Sequence, residues 1–133
     1  MTGYAGKIEE ATVQNTNFRQ VIFSGAYCQL VVMSLKPKEE IGEEVHVGID
    51  QFFRFEKGAG KVVINAEEHI VGDGDAVVVP AGAKHNVINT SETENLQLYT
   101  IYSPPNHPDG TVHKTKAEAD AAEAAHHPAQ PVT

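Results

Sequence analysis

Two short stretches of the chain concentrate side chains that can bind a metal ion or move a proton. In the first stretch, Glu44 and His46 are separated by one residue. If this stretch is extended, both side chains point to the same face and lie about 6–7 Å apart along the backbone. Gln51 opens the next predicted strand and can meet them from across the sheet. The pattern therefore predicts that a carboxylate, an imidazole and an amide converge.

The second stretch combines turn residues with another histidine. Pro80 and Gly82 indicate a tight turn, and this turn delivers His85 at the start of the following strand. Gly74 and Asn89 stand at the two ends of the stretch. An imidazole presented in this way is suited to metal binding or acid–base chemistry.

Together the two stretches resemble the paired motifs of the cupins, small β-barrels that hold a divalent metal inside the barrel. The second motif, G(X)5PXG(X)2H(X)3N, is matched at every fixed position by residues 74–89. The first motif, G(X)5HXH(X)3–4E(X)6G, ends at Gly58 and is matched in part, with Lys38 at its opening glycine. The intervening residues, 59–73, are as few as in the most compact microbial cupins. The resemblance covers residues 25–103 and is to small single-domain, RmlC-like proteins, including mannose-6-phosphate isomerase-like cupins.

The resemblance implies a metal site formed by Glu44, His46, Gln51 and His85. Glu44 takes the place of the family's first histidine, and Gln51 that of its glutamate. Two imidazoles and one carboxylate with open positions suit Fe, Mn, Zn, Ni or Co, and resemble the triad of non-haem iron oxygenases. Gln51 is a weaker, neutral donor, or it orients a bound water. In the opposing interpretation, Glu44 and Gln51 lie one register away and never reach the metal.

The hydrophobic pattern predicts an all-β fold. Between residues 19 and 102, short β-branched and aromatic runs alternate with Gly, Pro, Asn and Asp clusters, with no helix between them. This spacing predicts about seven or eight antiparallel strands in a sandwich or barrel, and the resemblance specifies the cupin jelly roll, a double-stranded β-helix. The predicted strands are Gln29–Leu35, 43–46, 51–56, 61–64, 69–71, 76–79, 87–88 and 96–102.

The chain divides into three predicted parts. Residues 1–24 are expected to form an edge strand and a turn, and residues 25–103 the barrel core. Residues 104–133 are expected to form a proline-pinned exit loop and an alanine-rich tail. Because that tail has almost no apolar residue larger than alanine, we expect a short surface helix that frays into disorder.

Strand alternation predicts which aromatic side chains face the barrel interior. If the amide at the start of the strand 51–56 faces inward, so do Phe53 and Phe55, while Phe52 faces outward. The inward phenylalanines serve either as barrel filling or as the apolar lining of a ligand pocket. Phe52, expected beside Val63 or Val77, indicates a homodimer formed sheet to sheet, the usual cupin association.

The segment after the last barrel strand has two interpretations. It is rich in proline and contains His107 and His113. In the first interpretation it is a lid or rim, with either histidine acting as a general acid–base group near the metal. In the second it is a rigid exit loop that packs beneath the barrel or on a partner subunit.

Composition restricts the partners. The 133 residues have a formal net charge of −8, which disfavours nucleic acids and anionic membranes. No apolar run approaches the roughly 18 residues of a membrane span. A single cysteine, Cys28, excludes an internal disulfide. Because there is also no secretory signal at the N-terminus, a cytoplasmic protein is expected.

Three functions fit these observations. The first is a metal-dependent enzyme acting on a small molecule, dioxygenase-like or isomerase- or lyase-like. The second is a binding protein for a small molecule, such as a sugar or effector, without turnover. The third is a structural or interaction barrel without metal. Few basic residues lie near the strands, so a neutral or aromatic ligand is favoured over a phosphosugar.

Overall fold

The computed structural model describes residues 2–126, which form two β-sheets with a helix near each end. Residues 127–133 of the predicted tail lie outside the described residues. The elements in chain order are α1 (Ile8–Gln14), β1 (Arg19–Ser24), β2 (Gln29–Leu35), β3 (Asp50–Lys57), β4 (Ala59–Ile64), β5 (Glu67–Gly72), β6 (Ala76–Val79), β7 (His85–Asn89), β8 (Leu96–Ser103), β9 (Val112–His113) and α2 (Lys116–His126).

The two sheets pack face to face as a jelly roll. The larger sheet has the strand order β6-β3-β8-β2-β1-β9 and the smaller one β5-β4-β7. All of these strand pairs are antiparallel. Alternate residues of each strand point inward, and the core between the sheets is formed by side chains such as Val31, Leu35, Phe55 and Leu98, all fully buried. The predicted all-β jelly roll is confirmed.

Asn89, the last residue of β7, ties three parts of the barrel together. Its Nδ2 donates to the carbonyl oxygens of Leu35, Lys36 and Glu94 at 3.0, 3.0 and 2.9 Å. Its Oδ1 accepts a hydrogen bond from the Ser91 amide at 2.9 Å. The end of β2 and the connection from β7 to β8 are therefore held by one buried amide, which explains why an asparagine, able both to donate and to accept, suits this position.

The N-terminal part differs from the predicted edge strand and turn. Residues 8–14 form α1, and β1 lies between β2 and β9 inside the sheet. β9, which was not predicted, pairs His113 with Arg19 and Val112 with Gln20. Helix α1 has 7 residues and buries only Thr12, so it offers too little apolar periodicity to be recognised. β9 is too short for a strand pattern.

Two further predictions need correction. The strand predicted over residues 43–46 is reduced to a single β-bridge between Glu44 and His85. The cross-strand neighbours of Phe52 are Val78 and Ile101 rather than Val63 or Val77, because β3 pairs with β6 and β8 in that register.

The surface helix predicted in the alanine-rich tail is present as α2. The Thr115 hydroxyl accepts a hydrogen bond from the Glu118 amide, and the Glu118 carboxylate accepts one from the Lys114 amide. These reciprocal bonds cap the start of the helix. Ala119, 4% exposed, anchors the helix to the core.

Gly58 and Gly74 provide a test of backbone packing. Both have positive φ, 103° and 85°, but only a Cβ at Gly58 would approach a neighbour, the Asn95 carbonyl oxygen at 2.5 Å. Gly74→Ala should lower the free energy of unfolding by about 1–2 kcal/mol through left-handed strain alone. Gly58→Ala should lower it by about 3 kcal/mol or more, since it adds the clash. Urea denaturation measures both; equal losses would contradict this expectation.

Candidate metal centre

A backbone pairing brings the two sequence motifs together. The amide of Glu44 donates to the His85 carbonyl at 2.8 Å, and the amide of His85 donates to the Glu44 carbonyl at 2.9 Å. Residues paired directly in this way present their side chains on the same face. The amide of Gly82 also donates to the His46 carbonyl at 2.9 Å, so the turn of the second motif holds the first motif from a further point.

Three side chains converge inside the barrel at this pairing. The potential ligand atoms of Glu44, His46 and His85 all lie within 4.8 Å of one another. The two imidazole rings are 5.4 Å apart between centroids, and His46 Nε2 is 3.4 Å from Glu44 Oε1. Both histidines are buried, with 8% and 3% of their surface exposed. Three of the four metal ligands predicted from the motifs are therefore close enough to one another to share a metal ion.

Gln51, the fourth predicted residue, lies against the same cluster. Its Oε1 is 3.1 Å from His85 Nε2, and its Nε2 donates to Thr100 Oγ1 at 3.0 Å. His85 Nδ1 lies 3.1 Å from the Ala83 carbonyl oxygen, so both ring nitrogens face acceptors. A neutral ring carries one proton, and with that proton on Nδ1 the other nitrogen, Nε2, is free to bind a metal. The lone pair of His85 Nε2 then faces the amide oxygen of Gln51. Two acceptors facing each other at this distance favour a cation between them.

The cluster fits a divalent metal ion. Among the described residues, His46 Nε2 is fully buried and has no hydrogen-bond partner, because its contact with Glu44 lacks hydrogen-bond geometry. A buried nitrogen without a partner is costly, and metal coordination satisfies it. Two imidazole nitrogens, a carboxylate oxygen and an amide oxygen form a donor set suited to Fe, Mn, Co, Ni or Zn.

The local electrostatics favour the deprotonated forms of Glu44 and His85. Burial alone would raise the pKa of Glu44, but contact with His46 and the charges of His46, Arg19 and His85 together lower it below its ordinary value. Burial lowers the pKa of His85, and this effect exceeds the opposing influence of the Ala83 carbonyl and the Glu44 charge. A carboxylate and a neutral imidazole are the forms that metal binding requires.

Tyr102 and His107 extend the cluster toward the exit loop. The buried Tyr102 ring meets His46 edge to face at 5.8 Å and His107 at 5.2 Å between centroids. His107 Nε2 lies 3.3 Å from the Tyr102 hydroxyl. Burial raises the pKa of Tyr102, while burial and the charge of Arg19 lower the pKa of His107 to about 3. Both side chains are therefore neutral near pH 7.

A buried glutamine holds the exit loop in place. Gln29 Oε1 accepts hydrogen bonds from the amides of Asn106 and His107 at 3.1 and 3.0 Å, and its Nε2 donates to the His107 carbonyl at 2.7 Å. Sequence reasoning missed both Gln29 and Tyr102. The register of the sheet would have identified them. Tyr102 pairs with Gln29 on one neighbouring strand and with Gln51 on the other, so the three residues lie side by side.

The interior also contains a cation that the sequence analysis did not place there. Arg19 is 4% exposed and lies on the inward face of β1 together with Val21. His113, on the neighbouring strand β9, pairs with Arg19, and its Nδ1 is 3.5 Å from Arg19 Nη1. Arg19 is thus buried, although it is one of the few basic residues near the strands. The alternation of Arg19 with Val21 was the signal for its inward direction.

The two predicted lining phenylalanines face inward, as alternation requires. Phe53 meets His85 at 6.2 Å between ring centroids and stacks on Phe55 at 6.3 Å. Phe53 thus borders the cluster, whereas Phe55, fully buried, is part of the hydrophobic core behind it.

Comparisons with known proteins agree with this architecture. A family model described as a cupin domain matches residues 31–102. The uncharacterized protein YrkC of Bacillus subtilis is 51% identical over 122 residues, 87% of this chain and 65% of that protein. The uncharacterized protein L612 of Acanthamoeba polyphaga mimivirus is 43% identical, over 82% of this chain and 70% of that protein. The chain therefore spans just under two thirds of the length of the Bacillus relative.

Solved structures are similar over most of the described fold. BH2720 from Bacillus halodurans has 42% sequence identity and a TM-score of 0.87, covering 89% of this chain and 93% of that one. An RmlC-like cupin from Shewanella frigidimarina, 18% identical with a TM-score of 0.61, covers 67% of this chain and 77% of that one and shares the fold. No helix among residues 2–126 is long and apolar enough to cross a membrane. By its matched domain and its relatives, the chain belongs to the cupin family.

Proposed function

We propose that the barrel binds one divalent transition metal through Glu44, His46 and His85, with Gln51 as a neutral fourth ligand, and uses it in an enzymatic reaction on a small molecule. The observation that carries this proposal is the convergence of three ligand atoms within 4.8 Å in the barrel interior. The buried, unpartnered His46 Nε2 gives separate support.

The proposed donor set leaves coordination positions for a substrate. Four protein ligands complete only part of the octahedral shell that Fe, Mn, Co or Ni adopts, and Zn accepts a similar set. When bound, the metal would act as a Lewis acid that polarises a substrate oxygen. The reaction class we propose is dioxygenase-like or isomerase- or lyase-like.

Tyr102 and His107 are proposed to orient the substrate and to hold a proton at the edge of this site. The Tyr102 hydroxyl stays protonated and can donate to a substrate oxygen, while the neutral His107 can accept a hydrogen bond from that hydroxyl. Gln29 supports this arrangement by fixing the His107 backbone. We propose Phe53 as the apolar wall beside His85.

A binding protein without turnover is the second candidate. The observation in its favour is Gln51, a neutral group where the family's motif has glutamate, whose amide is already bonded to Thr100. A weaker ligand set would suit recognition of a metal-bound ligand without catalysis. Detection of turnover on any substrate would exclude this candidate.

The metal-binding proposal predicts a specific pattern of metal content. Wild-type protein loaded with Zn or Mn should hold about one equivalent by plasma emission, since the ligands are preorganised. His46→Ala and His85→Ala should each weaken metal affinity by at least about 100-fold, more than the loss of an outer-shell partner causes. His69→Ala is the matched control, because His69 is exposed and paired with Glu67 away from the cluster. Less than about a tenth of an equivalent in wild-type protein would refute the proposal.

Gln51→Glu tests the fourth ligand. A charged oxygen in place of a neutral one should tighten metal affinity about tenfold, as ligand charge does in other metal sites. Without metal, the same variant should melt at a lower temperature, because a second buried carboxylate faces Glu44. Competition with a chromogenic chelator measures the affinity. Gln97→Glu is the control, since the Gln97 amide bonds to carbonyls of the α1 region instead. Unchanged affinity in Gln51→Glu would remove Gln51 from the ligand set.

We also propose a homodimer formed through the outer face of β6, β3 and β8, in a protein of the cytoplasm. Phe52 and Tyr99 pack together on this face with rings 6.1 Å apart, and Val78 beside them is 62% exposed.

Val78→Lys should weaken dimerisation at least about tenfold, because it places a charge in an apolar contact. Val112→Lys, at an exposed position on β9, the edge of the sheet opposite to β6, should not. Sedimentation equilibrium measures the dimer dissociation constant of each protein, and a monomeric wild type would contradict the proposal.

A further inference from the structure

Thr100 is a buried hydroxyl that contacts one of the proposed metal ligands. It lies on β8, none of its surface is exposed, and its Oγ1 accepts a hydrogen bond from Gln51 Nε2 at 3.0 Å. Gln51 is itself only 1% exposed, so this contact joins two side chains that are withdrawn from solvent. Thr100 is therefore a direct neighbour of the metal site although it is not among the proposed ligands.

The register of the large sheet produces this contact. Tyr102 pairs directly with Gln51, and Thr100 lies two residues before Tyr102 on the same strand. Side chains two residues apart in a strand share a face, and diagonal neighbours on that face are within reach of a long side chain. The partner that pairs directly with Thr100 is Phe53, the next inward residue after Gln51. The contact is therefore built into the pairing of β3 with β8.

A glutamine can serve as a metal ligand through one end of its amide only. The two ends are nearly equal in shape, but the oxygen accepts hydrogen bonds whereas the nitrogen carries two protons. In this structure Gln51 Oε1 faces His85 Nε2 at 3.1 Å, and Gln51 Nε2 is turned away from it to Thr100. The oxygen is thus the end of the amide that faces the cluster.

The opposite orientation of the Gln51 amide would remove two ligands from the site. It would replace the oxygen by N–H groups, whose positive ends repel a cation. It would also bring the amide nitrogen to His85 Nε2, where it could donate to the lone pair that a metal needs. The orientation of one amide therefore decides whether Gln51 and His85 are both available to a metal.

The Thr100 hydroxyl favours the orientation that leaves both residues available. A buried N–H group without an acceptor is costly, and Thr100 Oγ1 provides an acceptor at the end of the amide remote from His85. Without that oxygen, the amide nitrogen would gain by turning to donate to His85 Nε2. A metal would then have to reverse this hydrogen bond before it could bind.

We propose that Thr100 is a positioning residue for the metal site, which holds the nitrogen end of the Gln51 amide so that Gln51 Oε1 and His85 Nε2 both face the metal. This inference rests on the proposed function, because it concerns the fourth ligand of that site. Thr100 acts through Gln51 and is not itself a ligand.

The test measures metal affinity in three variants of Thr100. Thr100→Val keeps the shape of the side chain but replaces the hydroxyl by a methyl group. Its Zn(II) affinity, from competition with a chromogenic chelator, should fall about tenfold, the effect of one hydrogen bond. Thr100→Ala removes the same oxygen without adding a methyl group and should show a similar loss. Thr100→Ser, which keeps the hydroxyl, should retain the affinity of wild type.

The same substitution in the Gln51→Glu background separates orientation from packing. A carboxylate presents an oxygen from either end, so it has no wrong orientation for Thr100 to prevent. Adding Thr100→Val to Gln51→Glu should therefore leave the affinity nearly unchanged. An equal loss in both backgrounds, or a loss in Thr100→Ser equal to that in Thr100→Val, would show that Thr100 acts by packing alone and would overturn the proposal.

Metal binding by the wild type separates this inference from the proposed function. A wild type that takes up no Zn(II) would refute the metal site and the positioning role together. A wild type that holds about one equivalent, with unchanged affinity in Thr100→Val and Thr100→Ala, would refute the positioning role alone.

Discussion

The backbone pairing of Glu44 with His85 is the constraint on which the candidate site depends. Its two hydrogen bonds, 2.8 and 2.9 Å long, join a segment with little other regular structure to the start of β7. A slip of one residue would turn Glu44 and His46 away from the interior, since side chains alternate along an extended chain. The turn ending at Gly82 secures the same register through the His46 carbonyl. Backbone geometry, rather than contact between the ligands, thus gathers them.

Burial determines which polar side chains inside the barrel need a partner. Inside the barrel, most polar side chains have partners within the chain: the Gln51 amide bonds to Thr100, and Gln29 holds the backbone of the exit loop. Three buried side-chain atoms of the described residues have no hydrogen-bond partner: His46 Nε2 beside Glu44, and the Nε atoms of Arg19 and Arg54. Because a desolvated polar atom without a partner is costly, His46 Nε2, which lies among the potential ligand atoms, supports metal binding in the cluster.

The sequence predicted the parts of the fold that rest on strong local signals. Pro80, Gly82 and the β-branched runs identified the turns and most strands, and alternation from Gln51 placed Phe53 inside. The elements it missed lack such signals: α1 is too short for helical periodicity, and β9 exists only because β1 pairs with it. Tyr102 was not assigned to the site, because its place beside His46 and the exit loop is a long-range property of the topology.

Anomalous diffraction from crystals grown with cobalt tests the central claim most directly. The account predicts one strong peak inside the barrel, about 2.0–2.2 Å from His46 Nε2, His85 Nε2 and a Glu44 carboxylate oxygen. A barrel interior without a peak, in crystals whose exposed histidines carry cobalt, would contradict it.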